Sequence, residues 1–276
     1  MNSSNRKYEK MRPDQIIAER DKKSVVYVPI GPLEWHGPAL PMGTDPLAAE
    51  AIAIGIAEKI GGVVLPTLYL GTDRVRDKEE LSYIGLNEDE IIRGMDFPNN
   101  SLKSSYLKEE VFALVIRDYI ELMILQGYEL IVLVNGQGAL NHRAILDRLA
   151  QEYSYKSDSK VINLMALVPT VLEDAGHATK METSIQMYLN PESVDLSTLP
   201  DRSEKINMVD FGFLDSFEYV DHSGNDKSVV SDPRDSTEEY GKELVEKSIK
   251  ELSKAVENLY TSIQTEKNKT KQERVQ

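Results

Sequence analysis

The sequence predicts an α/β protein: a single-domain, layered α/β/α fold with a mainly parallel central sheet. Short apolar runs alternate along the chain with stretches of helical length, which is the pattern of strands joined by helices. Residues 130–134, Leu-Ile-Val-Leu-Val, form an unbroken apolar run, which is typical of a strand buried on both faces. Glycine-rich turns follow two of the predicted strands, where open α/β sheets place their binding sites.

The predicted elements follow one another without an internal repeat or a strong linker. Residues 25–30 form a buried strand, and Gly61 and Gly62 end the helix after it, since glycine commonly terminates helices. Residues 63–66 form the second strand, so the chain begins with a strand–helix–strand unit of the parallel kind. In full, strands are predicted at 25–30, 63–66, 130–134 and 161–167, and helices at 12–20, 46–60, 109–125, 141–153, 180–189 and 238–263.

Two segments depart from this alternation. Residues 71–108 form a long polar insertion, and such a connection in a compact domain is usually a lid, a subunit contact or a disordered segment. Apolar side chains such as Leu86, Phe97, Leu102 and Tyr106 could anchor it, which favours a lid or an oligomer contact; an ordinary irregular insertion is the alternative. The domain is expected to span residues 1–264, with 265–276 as a polar, disordered tail.

Composition restricts the class of protein. Hydrophobic residues make up 41% and charged residues 28% of the 276 positions, as in ordinary soluble globular proteins. A formal charge of −14 would repel phosphate backbones, so no nucleic-acid partner is expected. No long apolar run or leader is present, so neither a membrane span nor a secretory signal is predicted. The absence of cysteine excludes disulfides and thiolate ligands and is consistent with a cytoplasmic location.

The loop after the first predicted strand, residues 31–45, contains three good metal ligands. Glu34 and His36 are two positions apart, so they point the same way in an extended segment; Asp45 precedes Pro46 at the start of the next helix. Two carboxylates and an imidazole suit Zn, Mn or Fe better than Ca or Mg. Taken singly, Asp45 could be a helix N-cap, His36 a hydrogen-bonded loop histidine and Glu34 a solvated carboxylate. Their grouping in one Gly/Pro-rich loop favours a metal site.

This loop also resembles a known family. Residues 34–38, Glu-Trp-His-Gly-Pro, and 40–45, Leu-Pro-Met-Gly-Thr-Asp, are similar to the signature of the creatininase (creatinine amidohydrolase) family. The resemblance implies a hydrolase with one or two divalent metal ions per subunit, which acts on a small molecule and assembles as a homo-oligomer. It also implies that Asp45 bridges two metals, with Glu34 on one and His36 on the other. Further segments resemble the family in the same order: 63–66, 132–136, 175–178 with 182–184, and 231–234.

Two more residues are expected at the same sheet edge, where the loops after parallel strands converge. Glu182 is a candidate ligand and catalytic group, although a Glu in the first turn of a helix can simply complement its dipole. His177 is a candidate general acid for the leaving group or a substrate-binding residue. A structural histidine is the alternative, and the family resemblance favours the catalytic role.

Gln137 marks a departure from the family. Where the family usually shows Asn-Gly-His-Gly, this chain has Asn-Gly-Gln-Gly at 135–138. Three interpretations follow. Gln137 could still bind metal through its weaker carbonyl oxygen, His142 could replace the missing histidine, or only one metal could bind.

The predicted reaction is hydrolysis of a small polar cyclic substrate, a creatinine-like cyclic amide, by metal-activated water. One alternative is ring-opening C–C hydrolysis of a polyhydroxylated cyclic ketone of the inosose or diketo-inositol type, since the polar insertion with Arg74 and Arg76 would suit a hydroxyl-rich ligand. A further alternative is a metal-poor relative that binds a ligand without catalysis.

Overall fold

The computed structural model describes residues 6–83, 86–98, 100–168, 176–204, 207–209, 212–214 and 232–273. The α-helices are α1 (Pro13–Lys22), α2 (Thr44–Ile60), α3 (Lys78–Tyr83), α4 (Glu109–Leu125), α5 (Leu140–Lys156), α6 (Lys180–Leu189) and α7 (Glu238–Glu273). The strands are β1 (Val25–Ile30), β2 (Val63–Val64), β3 (Leu130–Asn135), β4 (Lys160–Met165), β5 (Asn207–Val209) and β6 (Gly212–Leu214). Short 3₁₀ helices cover Tyr8–Lys10, Pro191–Ser193, Leu196–Thr198 and Pro233–Asp235.

Four parallel strands form the central sheet in the order β2-β1-β3-β4. Every residue of β1 and β3 is buried, as the apolar runs predict for strands covered on both faces. β5 and β6 form a separate antiparallel hairpin. The predicted layered α/β fold with a mainly parallel sheet is confirmed.

Helices cover both faces of this sheet. Alternate side chains of each strand point to opposite faces, so each strand packs against both helix layers. Val25 and Tyr27 of β1 pack with α2, α6 and α7 in one apolar cluster. Val26 and Val28 pack on the other side with α4 and α5. Each fully buried aliphatic side chain of these clusters contributes about 1.5–3 kcal/mol of hydrophobic free energy.

Two predictions about helix ends need correction, one at the start of α2 and one at the end of α7. Helix α2 begins at Thr44 and its N-cap is Gly43, so the interpretation of Asp45 as an N-cap is wrong: Asp45 lies inside the first turn. Helix α7 continues to Glu273, so the predicted disorder from residue 265 is wrong as far as residue 273. Polar composition suggested disorder, but Lys267 donates a hydrogen bond to Glu129 at 3.0 Å and Gln264 bonds the same carboxylate, which ties the helix to the sheet.

The insertion at 71–108 contains a small core of its own. Its buried side chains are Leu81, Leu86, Ile92, Met95 and Phe97. Of the predicted anchors, Leu86 and Phe97 are therefore buried, whereas Leu102 is 54% exposed. The backbone N–H of Ser105 donates to the Leu33 carbonyl at 2.7 Å, so the insertion is attached to the loop after β1. Its function as a lid or an oligomer contact stays a prediction.

Within the described ranges, none of the helices has both the length and the hydropathy that a membrane crossing requires.

Candidate metal centre

The sheet register brings the two glycine-rich loops together. Ile30, the last residue of β1, is paired with Asn135, the last residue of β3, and the Gly136 N–H donates to the Ile30 carbonyl at 2.9 Å. The loop after β1 folds back on itself through the Glu34 N–H, which donates to the Met42 carbonyl at 2.8 Å. This edge is the carboxyl end of the strands, where sites of open α/β sheets lie.

His36 is the central side chain of the site. Its Nδ1 donates to the Glu34 carbonyl at 3.0 Å, so the lone pair of Nε2 faces the carboxylates. Nε2 lies 3.4 Å from Asp45 Oδ1 and 3.6 Å from Glu182 Oε2, and 3.9 Å from Glu34 Oε2. Nε2 of His36 and Oδ2 of Asp45 are buried and have no hydrogen-bond partner among the described residues. Two bare acceptor atoms in a buried acidic pocket fit a bound cation, since unpaired buried polar atoms are otherwise costly.

The protonation of the three carboxyl groups supports this fit. Burial, together with the nearby Asp45 carboxylate, raises the pKa of Glu34 to about 8. Burial raises the pKa of Asp45 to about 7 and that of Glu182 to about 8. Buried like charges disfavour ionisation, and a divalent cation is the group that would reverse it. The donor set of carboxylates and imidazole therefore fits a transition metal such as Zn or Mn.

Glu34 differs from the other two carboxylates because both of its oxygens accept hydrogen bonds. The Tyr106 hydroxyl donates to Oε1, and Gln137 Nε2 donates to Oε2 at 3.0 Å. Gln137 Oε1 in turn accepts from the Ala139 N–H at 3.2 Å. Asn135 fixes the turn by accepting from the Gln137 N–H at 2.8 Å. Gln137 thus lies in the site as a hydrogen-bond donor to Glu34, with its carbonyl oxygen directed to Ala139.

His177 lies beside His36, with ring centroids 4.2 Å apart. Its Nε2 donates to the Trp35 carbonyl, and its Nδ1 lies 3.9 Å from Glu34 Oε2. Burial and the proximity of His36 hold the pKa of His177 well below its usual range, so the ring is neutral at pH 7. The adjacent Ala178 has φ 54°, a conformation that is uncommon for residues other than glycine, and its N–H donates to Glu182 Oε2 at 2.6 Å. This turn therefore positions His177 and Glu182 together.

His142 is outside this site. Its ring packs on Phe112 at 4.5 Å between centroids, and its Nδ1 accepts from the Thr72 N–H at 3.3 Å. Burial lowers the pKa of His142 to about 3. Among the described residues, the groups that could hold a metal are Glu34 with His36 and His177, and His36 with Asp45 and Glu182. The structure does not bring His142 to either group.

The structure brings all six residues proposed from the sequence together at this edge of the sheet, and the roles assigned to them stay predictions. Sequence reasoning missed the hydroxyl contact of Tyr106, which was predicted only as an apolar anchor. Tyr106 and Glu34 are 72 positions apart, and no local pattern connects them.

Comparison with known proteins identifies the family. The creatininase family, described as creatinine amidohydrolase, matches residues 9–256. The chain belongs to this family. Its members are metal-dependent hydrolases, so the predicted family and enzyme class are confirmed.

Similar individual proteins agree with this assignment. Creatinine amidohydrolase of Pseudomonas putida is 27% identical over 195 residues, which cover 64% of this chain and 68% of that protein. A creatininase variant of the zinc–zinc type has a TM-score of 0.67 at 23% identity, covering 94% of this chain and 99% of that one. A creatininase variant complexed with creatine has the same score and identity, covering 93% and 99%. At these identities the two structures support the fold.

Proposed function

We propose that this member of the creatininase family hydrolyses a C–N bond of a small, polar cyclic amide of the creatinine type. The observation that carries the proposal is the pair of bare, buried acceptor atoms, His36 Nε2 and Asp45 Oδ2, in a pocket of carboxylates. The creatine in the complex of the related creatininase supports a small-molecule substrate of this class.

The metal ligands in this proposal are drawn from Glu34, His36, Asp45 and Glu182, with Gln137 at the edge of the set. A divalent cation held by these groups would supply Lewis-acid chemistry, lowering the pKa of a coordinated water and polarising a carbonyl. His36 Nδ1, by donating to the Glu34 carbonyl, keeps Nε2 as the coordinating nitrogen. Such support of a ligating histidine by a backbone carbonyl fixes its tautomer and ring orientation.

His177 is the proton carrier in this proposal. Because the pKa of His177 is well below its usual range, the ring begins the reaction neutral, with Nδ1 free to accept a proton from the attacking water. Its Nε2–H remains bonded to the Trp35 carbonyl, which stabilises the imidazolium that forms. Nδ1 then returns the proton to the departing nitrogen, so the same residue acts first as base and then as acid.

The insertion at 71–108 would form one wall of the substrate site, since Tyr106 reaches Glu34 and the Ser104 hydroxyl accepts from the Trp35 N–H at 3.0 Å. Two charged groups of the insertion influence the centre: Asp73 helps to raise the pKa of Glu34, and Arg76 helps to lower the pKa of His177. These polar groups favour a second candidate, ring opening of a polyhydroxylated cyclic ketone at a C–C bond.

Exposed apolar side chains on α4, including Leu114 at 55% and Leu125 at 82% exposure, support assembly as a homo-oligomer. Light scattering coupled to size-exclusion chromatography tests this; a monomer at working concentration would contradict it.

The test of the proposed function compares two buried histidines under the same substitution. Metal-depleted protein is reconstituted with Mn²⁺ or Zn²⁺, and ring opening of creatinine, other cyclic amides and cyclic polyol ketones is followed by product analysis. His36→Gln should lower turnover at least ~100-fold and weaken metal binding, whereas His142→Gln, outside the ligand groups, should retain metal binding. Circular dichroism checks that both variants fold. Wild-type turnover by folded His36→Gln protein would refute the assignment.

A further inference from the structure

The two groups of possible metal ligands share one coordinating atom, Nε2 of His36. His36 has a single coordinating nitrogen, Nε2, because Nδ1 donates to the Glu34 carbonyl. Both candidate groups use His36, one with Asp45 and Glu182 and the other with Glu34 and His177. Nε2 is nearer to Asp45 and Glu182, at 3.4 Å and 3.6 Å, than to Glu34 at 3.9 Å. One ion on Nε2 therefore leaves any second ion without this imidazole.

The hydrogen bonds of Glu34 also favour a cation bound through Asp45 rather than through Glu34. Its two oxygens accept from the Tyr106 hydroxyl and from Gln137 Nε2, whereas Asp45 Oδ2 is buried and bare. Both oxygens of Glu34 therefore already have hydrogen-bond partners, and coordination through either oxygen would have to displace or share one of these bonds. Asp45 has no such bond to lose at Oδ2.

Gln137 offers no compensating ligand. Its Oε1 accepts from the Ala139 N–H, and its Nε2 is an amide nitrogen that can only donate. A histidine at this position would instead present an imidazole lone pair beside Glu34. In this chain the side chain at position 137 therefore adds no free metal ligand beside Glu34.

We propose that this chain binds a single divalent cation, at His36, Asp45 and Glu182, and that Glu34 is a brace rather than a ligand. The brace joins Tyr106 of the insertion to Gln137 of the turn after β3 and so holds the wall of the site against the sheet. This inference rests on the proposed function, since it specifies the number of ions at the same centre. In this proposal Asp45 coordinates one ion and does not bridge two.

The test counts ions in the full-length protein. Chelator-stripped protein is titrated with Mn²⁺, and bound ions per chain are measured by elemental analysis and by calorimetry, with electron paramagnetic resonance to distinguish isolated from coupled Mn²⁺. Wild type should bind about one ion, with the spectrum of an isolated ion. Glu182→Gln should weaken that site at least ~10-fold, and Glu34→Gln should still bind about one ion.

Substitution at position 137 provides a gain-of-site experiment with a matched control. Gln137→His should raise the count to about two and give coupled Mn²⁺, whereas Gln137→Asn, which shortens the same side chain without adding an imidazole, should stay at about one.

The outcomes separate the two proposals. Two tightly bound ions in wild type, together with turnover, would overturn the single-ion inference and leave the hydrolase proposal standing. A wild type that binds no ion would refute both. If Gln137→His does not fold, the wild-type count and the Glu34→Gln count still decide the inference: loss of the ion in folded Glu34→Gln would show that Glu34 is a ligand.

Discussion

Replacing Gly136 with alanine should disrupt the centre without touching any of its ligating side chains. A Cβ at position 136 would lie 2.2 Å from the Asp45 carbonyl oxygen and 2.7 Å from its carbonyl carbon. Ordinary contact begins near 3.4 Å, so the first turn of α2 and the end of β3 would have to separate by about 1 Å. Both neighbours are backbone, so no side-chain rotation can relieve the clash.

The expected cost follows from that displacement. Overpacking of a close-packed interior costs roughly 1–3 kcal/mol, and here it falls on the turn that carries Asp45. A shift of about 1 Å in a metal-site group can lower the rate on the order of 100-fold. We therefore expect Gly136→Ala to be less stable in urea unfolding, and to bind Mn²⁺ at least ~10-fold more weakly by calorimetry.

Gly138 provides the matched control on the same turn. A Cβ at Gly138 would have no heavy atom within 4 Å, so Gly138→Ala should change stability by no more than about 0.5 kcal/mol and should retain wild-type Mn²⁺ affinity. If Gly136→Ala proved as stable and as tight in metal binding as Gly138→Ala, the close approach of Asp45 to β3 would be wrong.

The other predictions concern packing, the brace and pH. Gly241→Ala should destabilise the protein by at least about 2 kcal/mol in urea unfolding, because its Cβ would lie 1.8 Å from the Ser184 carbonyl oxygen; wild-type stability would contradict the α6–α7 contact. Tyr106→Phe removes a hydrogen bond to buried Glu34 and should cost about 1–3 kcal/mol while leaving the Mn²⁺ count unchanged; loss of the ion would contradict the brace. The pKa values of Glu34, Asp45 and the half-buried Glu182 are raised in the folded, metal-free protein, so folding favours their protonated forms. That stabilisation is complete below the ordinary carboxyl pKa of about 4 and is lost as pH rises through about 7–8. Between about pH 7 and 8.5, where the histidines with lowered pKa values are neutral in both states, metal-free protein should lose on the order of 2 kcal/mol of stability, and saturating Mn²⁺ should remove the loss; a flat profile without metal would refute the burial of these groups.

Local sequence patterns were sufficient for most of the fold. Strand β1 and helices α4 and α6 have the predicted bounds, since an apolar run or a periodic stretch with a clear end is information carried by neighbouring residues. The pattern was insufficient at α7, where polar residues after 264 are helical and Lys267 reaches Glu129. That contact joins residues 138 positions apart, and no window of sequence includes both.

The sequence by itself determined the residue types of the centre and the edge of the sheet at which they meet, because the carboxyl ends of parallel strands bring their loops together. The tertiary structure alone decided which atoms remain free there. Gln137 turns its amide nitrogen to Glu34, Tyr106 reaches the same carboxylate from the insertion, and His36 Nε2 is left bare. A side chain's hydrogen-bonding direction is set by all the groups packed around it, and those groups come from distant parts of the chain.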